Sequence, residues 1–130
     1  MIAGIGVDIV EVARMEQALE RFGDKFAQRV LAPGEWPDYE AAGRQAAFLA
    51  KRFAAKEAFG KALGTGIRVP ATFHAISVER DTLGKPSFRF DADLSEWLER
   101  RGVDRHHLSI SDERFAAVAM VVLESMQVQP

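Results

Sequence analysis

Residues 44–63 read as one long helix, and that helix limits what the rest of the chain can be. Ala, Leu, Lys, Arg and Glu dominate it, and all are strong helix formers. Phe48, Leu49, Phe53 and Ala55/Phe59 give it an apolar face. Gly64-Thr65-Gly66 follows at once, as glycines do where helices end. In a chain of 130 residues, such a helix is the element against which a sheet would pack.

The strands that could form this sheet lie on both sides of it. Residues 2–10 are short, β-branched and glycine-bounded, the pattern of a buried strand. Residues 11–22 change to helical spacing, with Val12, Met15, Leu19 and Phe22 on one face. Gly23 breaks that helix, and 24–31 predicts a second short one. Pro33-Gly34 is a turn, and 34–42 reads as another short helix. Residues 73–80 and 86–91 alternate like strands around Leu83-Gly84-Lys85-Pro86. Asp93–Arg101 is helical up to Gly102. Residues 106–111 and 115–124 form a final hairpin around Asp112-Glu113-Arg114. Alanines would allow 115–124 to be a helix, but its valines and the preceding turn favour a strand. The expected class is α/β (α+β), one domain over 1–130, with mostly antiparallel sheet packed on the long helix.

Composition narrows the chemistry. There are no cysteines, so disulfides, thiolate nucleophiles and cysteine-ligated zinc are excluded. A net charge of −2 leaves no general electrostatic footprint for nucleic acid. No apolar run reaches membrane-spanning length, and no signal peptide is evident, so a cytoplasmic protein is expected.

Two carboxylates stand out. Asp8 closes the apolar run Ile5-Gly6-Val7, and an isolated charge in such a strand is costly to bury. Glu57 lies on the long helix with Lys56 and Lys61, next to Gly64-Thr65-Gly66. Magnesium takes one or two carboxylates plus waters and substrate phosphates. Asp8 and Glu57 fit that pattern if the strand end meets the helix. Lys61 is four residues after Glu57 and shares its face. Gly64-Thr65-Gly66 could cradle a phosphate with its N–H groups. Each feature also has a plain structural reading. Asp8 could cap the helix that follows, Glu57–Lys61 could be a surface pair, and Gly64-Thr65-Gly66 a simple stop. His74, His106 and His107 lack zinc spacing. Neither a Walker A sequence nor a complete dinucleotide fingerprint is present. Arg14, Arg21, Lys25 and Arg29, with Phe22 and Phe26 interleaved, read either as a solvated face or as a dock for an acidic surface.

Gly4-Ile5-Gly6-Val7-Asp8-Ile9-Val10-Glu11, Phe48 through Ala58 and Gly64-Thr65-Gly66-Ile67-Arg68 together resemble the holo-acyl-carrier-protein synthase family of 4′-phosphopantetheinyl transferases. The resemblance runs from Met1 to about Glu124. It implies a trimer with clefts between subunits and transfer of the 4′-phosphopantetheine arm of coenzyme A to a serine of apo acyl carrier protein. Adenosine 3′,5′-bisphosphate would be released, with Mg2+ as cofactor and fatty acid biosynthesis as the setting. It also implies residue roles. Asp8 and Glu57 would hold the metal, and Lys61 would face phosphate. Arg52, Gly64, Thr65, Gly66, Lys85, Pro86 and His107 would line the coenzyme A cleft. Arg14, Arg21, Lys25, Phe26 and Arg29 would dock the carrier. Ser109-Ile110-Ser111-Asp112-Glu113 departs from relatives that carry a His-Thr pair there. Two other classes stay open beside it: a non-catalytic carrier-binding module of the same fold, against which the intact Asp8, Glu57 and Lys61 argue, and a different magnesium-dependent nucleotide enzyme, which the absence of a Walker or Rossmann motif disfavours.

Overall fold

A computed structural model describes residues 1–126. The elements run β1 (Ile2–Glu11), α1 (Val12–Phe22), α2 (Asp24–Val30), α3 (Trp36–Ala41), α4 (Gln45–Leu63), β2 (Ile76–Arg80), β3 (Pro86–Phe90), α5 (Ala92–Arg100), β4 (Val103–Asp112) and β5 (Ala116–Ser125). Short 3₁₀ turns occupy Pro33–Glu35 and Phe73–Ala75. One antiparallel sheet has the order β1–β5–β4, and β2 pairs with β3 in a second. The expected α/β class with antiparallel strands is what the chain adopts.

Some boundaries differ from the sequence reading, for local reasons. Residues 73–75 are not strand. They turn in a 3₁₀ step because Thr72 Oγ1 accepts the Ala75 N–H. The fifth helix starts one residue early, with Asp91 as its cap accepting from Leu94 N. β4 extends over 103–112, longer than the predicted 106–111, because β5 pairs along its length.

Alternation along β1 puts Gly4, Gly6, Asp8 and Val10 on the face toward α4. Their partners on β5 are Leu123, Val121, Ala119 and Ala117, all buried. The glycines bring the two backbones into contact. A Cβ on Gly6 would lie 2.0 Å from Ala58 O, and one on Gly4 would lie 1.9 Å from Ala62 O. No side chain fits there, so β1 lies directly on the alanine stripe of α4.

The long helix is not amphipathic in the expected way. Leu49, Ala50, every residue from Arg52 to Lys56, Ala58, Phe59, Gly60 and Ala62 are buried. A helix covered on most of its circumference is a core element, not a surface one. On its far side, Phe59 packs with Phe88 and Phe90 at centroid distances of 5.2 and 4.9 Å. His106 joins this group and accepts the Phe88 N–H at 3.0 Å, tying the small sheet to β4. Burial, aided by the neighbouring His107, holds its imidazole below the ordinary pKa, as an accepting ring nitrogen requires.

Among the described residues, nothing covers the opposite face of the large sheet. Ile5, Val7, Ile9 and Met120 are exposed there. His107 shares that face and pairs with Glu124 across the strands.

Candidate active site

Close contact between β1 and α4 brings Asp8 beside the last turns of the helix. Lys61 Nζ donates to Asp8 Oδ1 at 2.9 Å and to Val7 O at 3.1 Å. The Asp8 side chain is 16% exposed and that of Lys61 53%, so the pair borders solvent. This settles two of the open alternatives. Asp8 does not cap α1, whose N-cap is Glu11 and has no side-chain cap bond. Lys61 reaches across to the strand, so it is not merely a partner for Glu57 along the helix.

Glu57 completes the group, half-buried one turn before Lys61. Its carboxyl is pushed above the usual value, mainly by burial and then by the negative charge of Asp8. Lys61 and Arg14 partly offset this. The Asp8 charge makes Glu57 costlier to ionise, and a carboxylate pair of this kind, open to water on one side, suits a hard divalent cation. Among the described residues no cluster of three or more His, Asp or Glu exists. An ion here would therefore complete its shell with water and phosphate oxygens, as magnesium commonly does.

The other expected residues are distributed less simply. Gly64 ends α4 in the left-handed region (φ 82°), its N–H reaching Gly60 O and Lys61 O, and Gly66 N also donates to Gly60 O. The Gly-Thr-Gly segment thus acts as a helix stop adjoining Lys61. Lys85 and Pro86 stand at the β2–β3 turn, where Asp81 Oδ1 accepts from Leu83 N and Lys85 N. No hydrogen bond or ion pair among the described residues joins them to Asp8, Glu57 or Lys61. His107 projects from the opposite face of the sheet to Asp8. Of the basic series, Arg21, Lys25 and Arg29 are exposed and Phe26 is half-buried. Arg14 lies over the Phe53 ring, 5.1 Å from its centroid, and is electrostatically linked to Glu57.

Two cations of α4 turn inward. Lys56 does not share the face of Glu57, against the sequence reading that grouped its two lysines. One residue is 100° of helix, and that rotation takes it into the core. Arg52 is likewise buried, donating to Glu35 Oε2 at 2.7 Å and to Val78 O at 2.6 Å. It offers no donor to the Asp8 face. Lys56 is fully buried and bonds to Glu35, Val30 O and Phe73 O. Burial lowers its pKa to about 8 against the pull of Glu35, and Arg52 adds to the lowering. Glu35, 2% exposed, was not singled out by sequence. Burial alone would raise its carboxyl, but Lys56, Arg52 and the Ala32 N–H together hold it below the usual range, and Val78 N also donates to it. Its only sequence signal was a position before an apolar Trp in a short helical segment, which says nothing of partners 17 and 21 residues away.

The model of the 4′-phosphopantetheinyl transferase superfamily matches residues 4–119, including both carboxylates and Lys61. The chain belongs to the holo-acyl-carrier-protein synthase family. It is 57% identical to the holo-acyl-carrier-protein synthase of Nitrosomonas europaea over 124 residues, covering 95% of this chain and 99% of that one. The crystal structure of the synthase from Neisseria meningitidis superposes with a TM-score of 0.94 at 49% identity, over 96% of this chain and all of that one. The Helicobacter pylori synthase, in complex with coenzyme A, gives a TM-score of 0.81 at 32% identity, over 92% and 99% of the two chains. The chain is therefore an enzyme of the transferase class.

Among the described residues, two concavities have linings that do not include Asp8. One is lined by Pro33, Asp38, His74, Glu79, Arg89 and Asp91, another by Glu11, Glu16, Arg44, Arg114 and Phe115.

The raised pKa of Glu57 has a measurable sign. A carboxyl whose folded pKa exceeds its unfolded value stabilises the fold below the unfolded value, and that contribution is lost as pH rises through the folded one. In metal-free protein, Glu57→Gln should therefore gain stability relative to wild type as pH rises above the ordinary carboxylate value of about 4.3. Urea unfolding of both proteins across this window tests it. A difference that stays flat with pH would contradict the assignment.

Proposed function

We propose that this enzyme transfers the 4′-phosphopantetheine arm of coenzyme A to a serine of apo acyl carrier protein. The products are holo carrier and adenosine 3′,5′-bisphosphate, and the reaction supports fatty acid biosynthesis. One observation carries the reading: Asp8, Glu57 and Lys61 converge from strand and helix in a chain of this family. Near-full-length relatives bound to coenzyme A support the choice of donor.

Asp8 and Glu57 would hold Mg2+, which when bound offsets the charge of a pyrophosphate. Lys61 Nζ already lies between Asp8 and the strand carbonyl, so a small swing offers its charge to a phosphate oxygen. Catalysis then rests on placing donor and acceptor and on charge complementarity. The carrier serine must lose a proton. A carboxylate tied to a metal is a weak base, which favours a water held near Asp8 over Glu57 itself. Gly64, Thr65 and Gly66 adjoin Lys61 and provide a border for the same ligand.

Arg21, Lys25 and Arg29 present cations on α1 and α2, with Phe26 beside them as an apolar anchor. This surface suits an acidic carrier, and Arg14 links it to Glu57. The assay is direct. Apo carrier, coenzyme A and magnesium should give a carrier mass increased by one phosphopantetheine arm. Asp8→Ala and Glu57→Ala should each abolish the gain while circular dichroism stays native. Arg21→Glu with Lys25→Glu should raise the carrier KM and leave the coenzyme A KM nearly unchanged. The rise should be salt-sensitive, since exposed charges act within a Debye length of ~8 Å. Wild-type turnover by either carboxylate variant would sink the site, and equal losses for both substrates would sink the dock.

A homotrimer belongs to the same reading. The exposed apolar face of Ile5, Val7, Ile9 and Met120 is larger than single scattered residues would give, and contiguous patches of this kind usually meet another surface. His107 lies on that face, so a cleft containing both His107 and Asp8 needs two copies. Light scattering should give three chains per particle, and Val7→Glu should yield inactive monomers. A fully active monomer would rule this out.

A further inference from the structure

Glu35 is the hub of a buried polar cluster that the site does not use directly. Its Oε1 accepts from Ala32 N and Lys56 Nζ, and its Oε2 from Arg52 and Val78 N. Lys56 spends all three ammonium hydrogens inside the protein, one on each of three segments. They go to Glu35 in the Pro33–Glu35 turn, to Phe73 O in the second 3₁₀ turn, and to Val30 O at the C-terminal end of α2. His74, next to Phe73, contacts another α2 carbonyl, Gln28 O. The last carbonyls of α2 have no partners within the helix, so these contacts replace them. α2 has only seven residues, too few to be stable without tertiary contacts. Its place is therefore set by Ala27 and Val30 packing inward and by the two side chains that grip its end.

The same lysine adjoins Glu57 in sequence, and Arg52 lies one turn earlier on α4. One polar cluster thus fixes both the rotation of α4 and the placement of α2. We propose that Lys56 and Glu35 are positioning residues that hold α2, with Lys25, Phe26 and Arg29, in register with the Glu57–Lys61 face of α4. The carrier, docked on α2, would then present its serine at the right depth. This rests on the docking role given to α2 above. Hydrophobic packing alone would not fix the register, because small residues such as Ala27 tolerate sliding, whereas three hydrogen bonds from one ammonium do not.

Lys56→Met tests it. The substitution keeps length, removes one of two buried cations, and leaves the neutral Arg52–Glu35 pair. Hydrogen exchange of the folded variant should show loss of protection in 24–30 while the amides of α4 stay protected. Carrier KM should rise about tenfold or more, the scale expected when a reacting group is misplaced by a change away from the chemistry. Coenzyme A affinity by equilibrium dialysis, and Mn2+ affinity, should stay within about twofold of wild type, since the proposed function places both ligands at Asp8, Glu57 and Lys61 and not on α2. If Lys56→Met does not fold, Glu35→Asp preserves the buried charges but draws the acceptors back by one methylene, and should give the same split. A folded variant with wild-type carrier KM, in a protein where Arg21→Glu with Lys25→Glu does raise it, overturns the positioning role alone. If the charge reversals have no effect either, the docking reading falls as well. Equal losses for carrier, coenzyme A and Mn2+ would show that the cluster merely supports the fold, and would also overturn the proposal.

Discussion

Everything in the site depends on how closely β1 lies on α4. Strand and helix backbones normally stay apart by the thickness of their side chains. Here Gly4 and Gly6 remove that layer on the strand, and Ala58 and Ala62 thin it on the helix. Asp8 follows two residues after Gly6 on the same face, where the Lys61 ammonium reaches it from α4. A wider gap would cost Asp8 its partner on α4. The close contact and the carboxylate thus need each other.

Charge is then divided between two sides of one helix. On the solvent side, Asp8 and Glu57 meet Lys61, with Arg14 acting on Glu57 from α1, and the two carboxylates would offer oxygens to a divalent cation. On the core side, two cations surround one carboxylate, with Asp38 3.7 Å from Arg52 at the surface. A buried cluster of this kind contributes little net stability compared with apolar packing, since desolvation offsets the attraction. It does fix direction. Glu35 has four donors and Lys56 three acceptors, all satisfied, so few other arrangements of these segments would serve. The chain combines a permissive apolar core with a strict polar one.

Much of this was legible in the sequence, and the unread part has a common cause. Helix 44–63, strand 2–10 and the last hairpin were readable because their signals are local: periodicity, glycine stops and β-branching. Asp8 and Glu57 were readable as a pair only because the type of each residue was unusual for its place and the family motif joined them. Lys61 reaching Asp8, Glu35 receiving Lys56, and Arg52 turning inward depend on contacts between residues 17 to 53 apart. No local pattern encodes those. Lys56 was misplaced for a simpler reason. Adjacent residues on a helix point 100° apart, and the sequence did not reveal that α4 would be covered on nearly every side.

The most direct test is Gly6→Ala, which adds one methyl group where β1 meets the Ala58 carbonyl and changes no charged group. The quantity to measure is Mn2+ affinity by electron paramagnetic resonance, alongside circular dichroism to show that the fold persists. If the backbone contact places Asp8 against Glu57 and Lys61, the folded variant should bind Mn2+ at least about tenfold more weakly, because the strand must move off the helix. A folded Gly6→Ala protein that binds Mn2+ as wild type does would show that the two carboxylates do not depend on this contact, and the account would be wrong at its base.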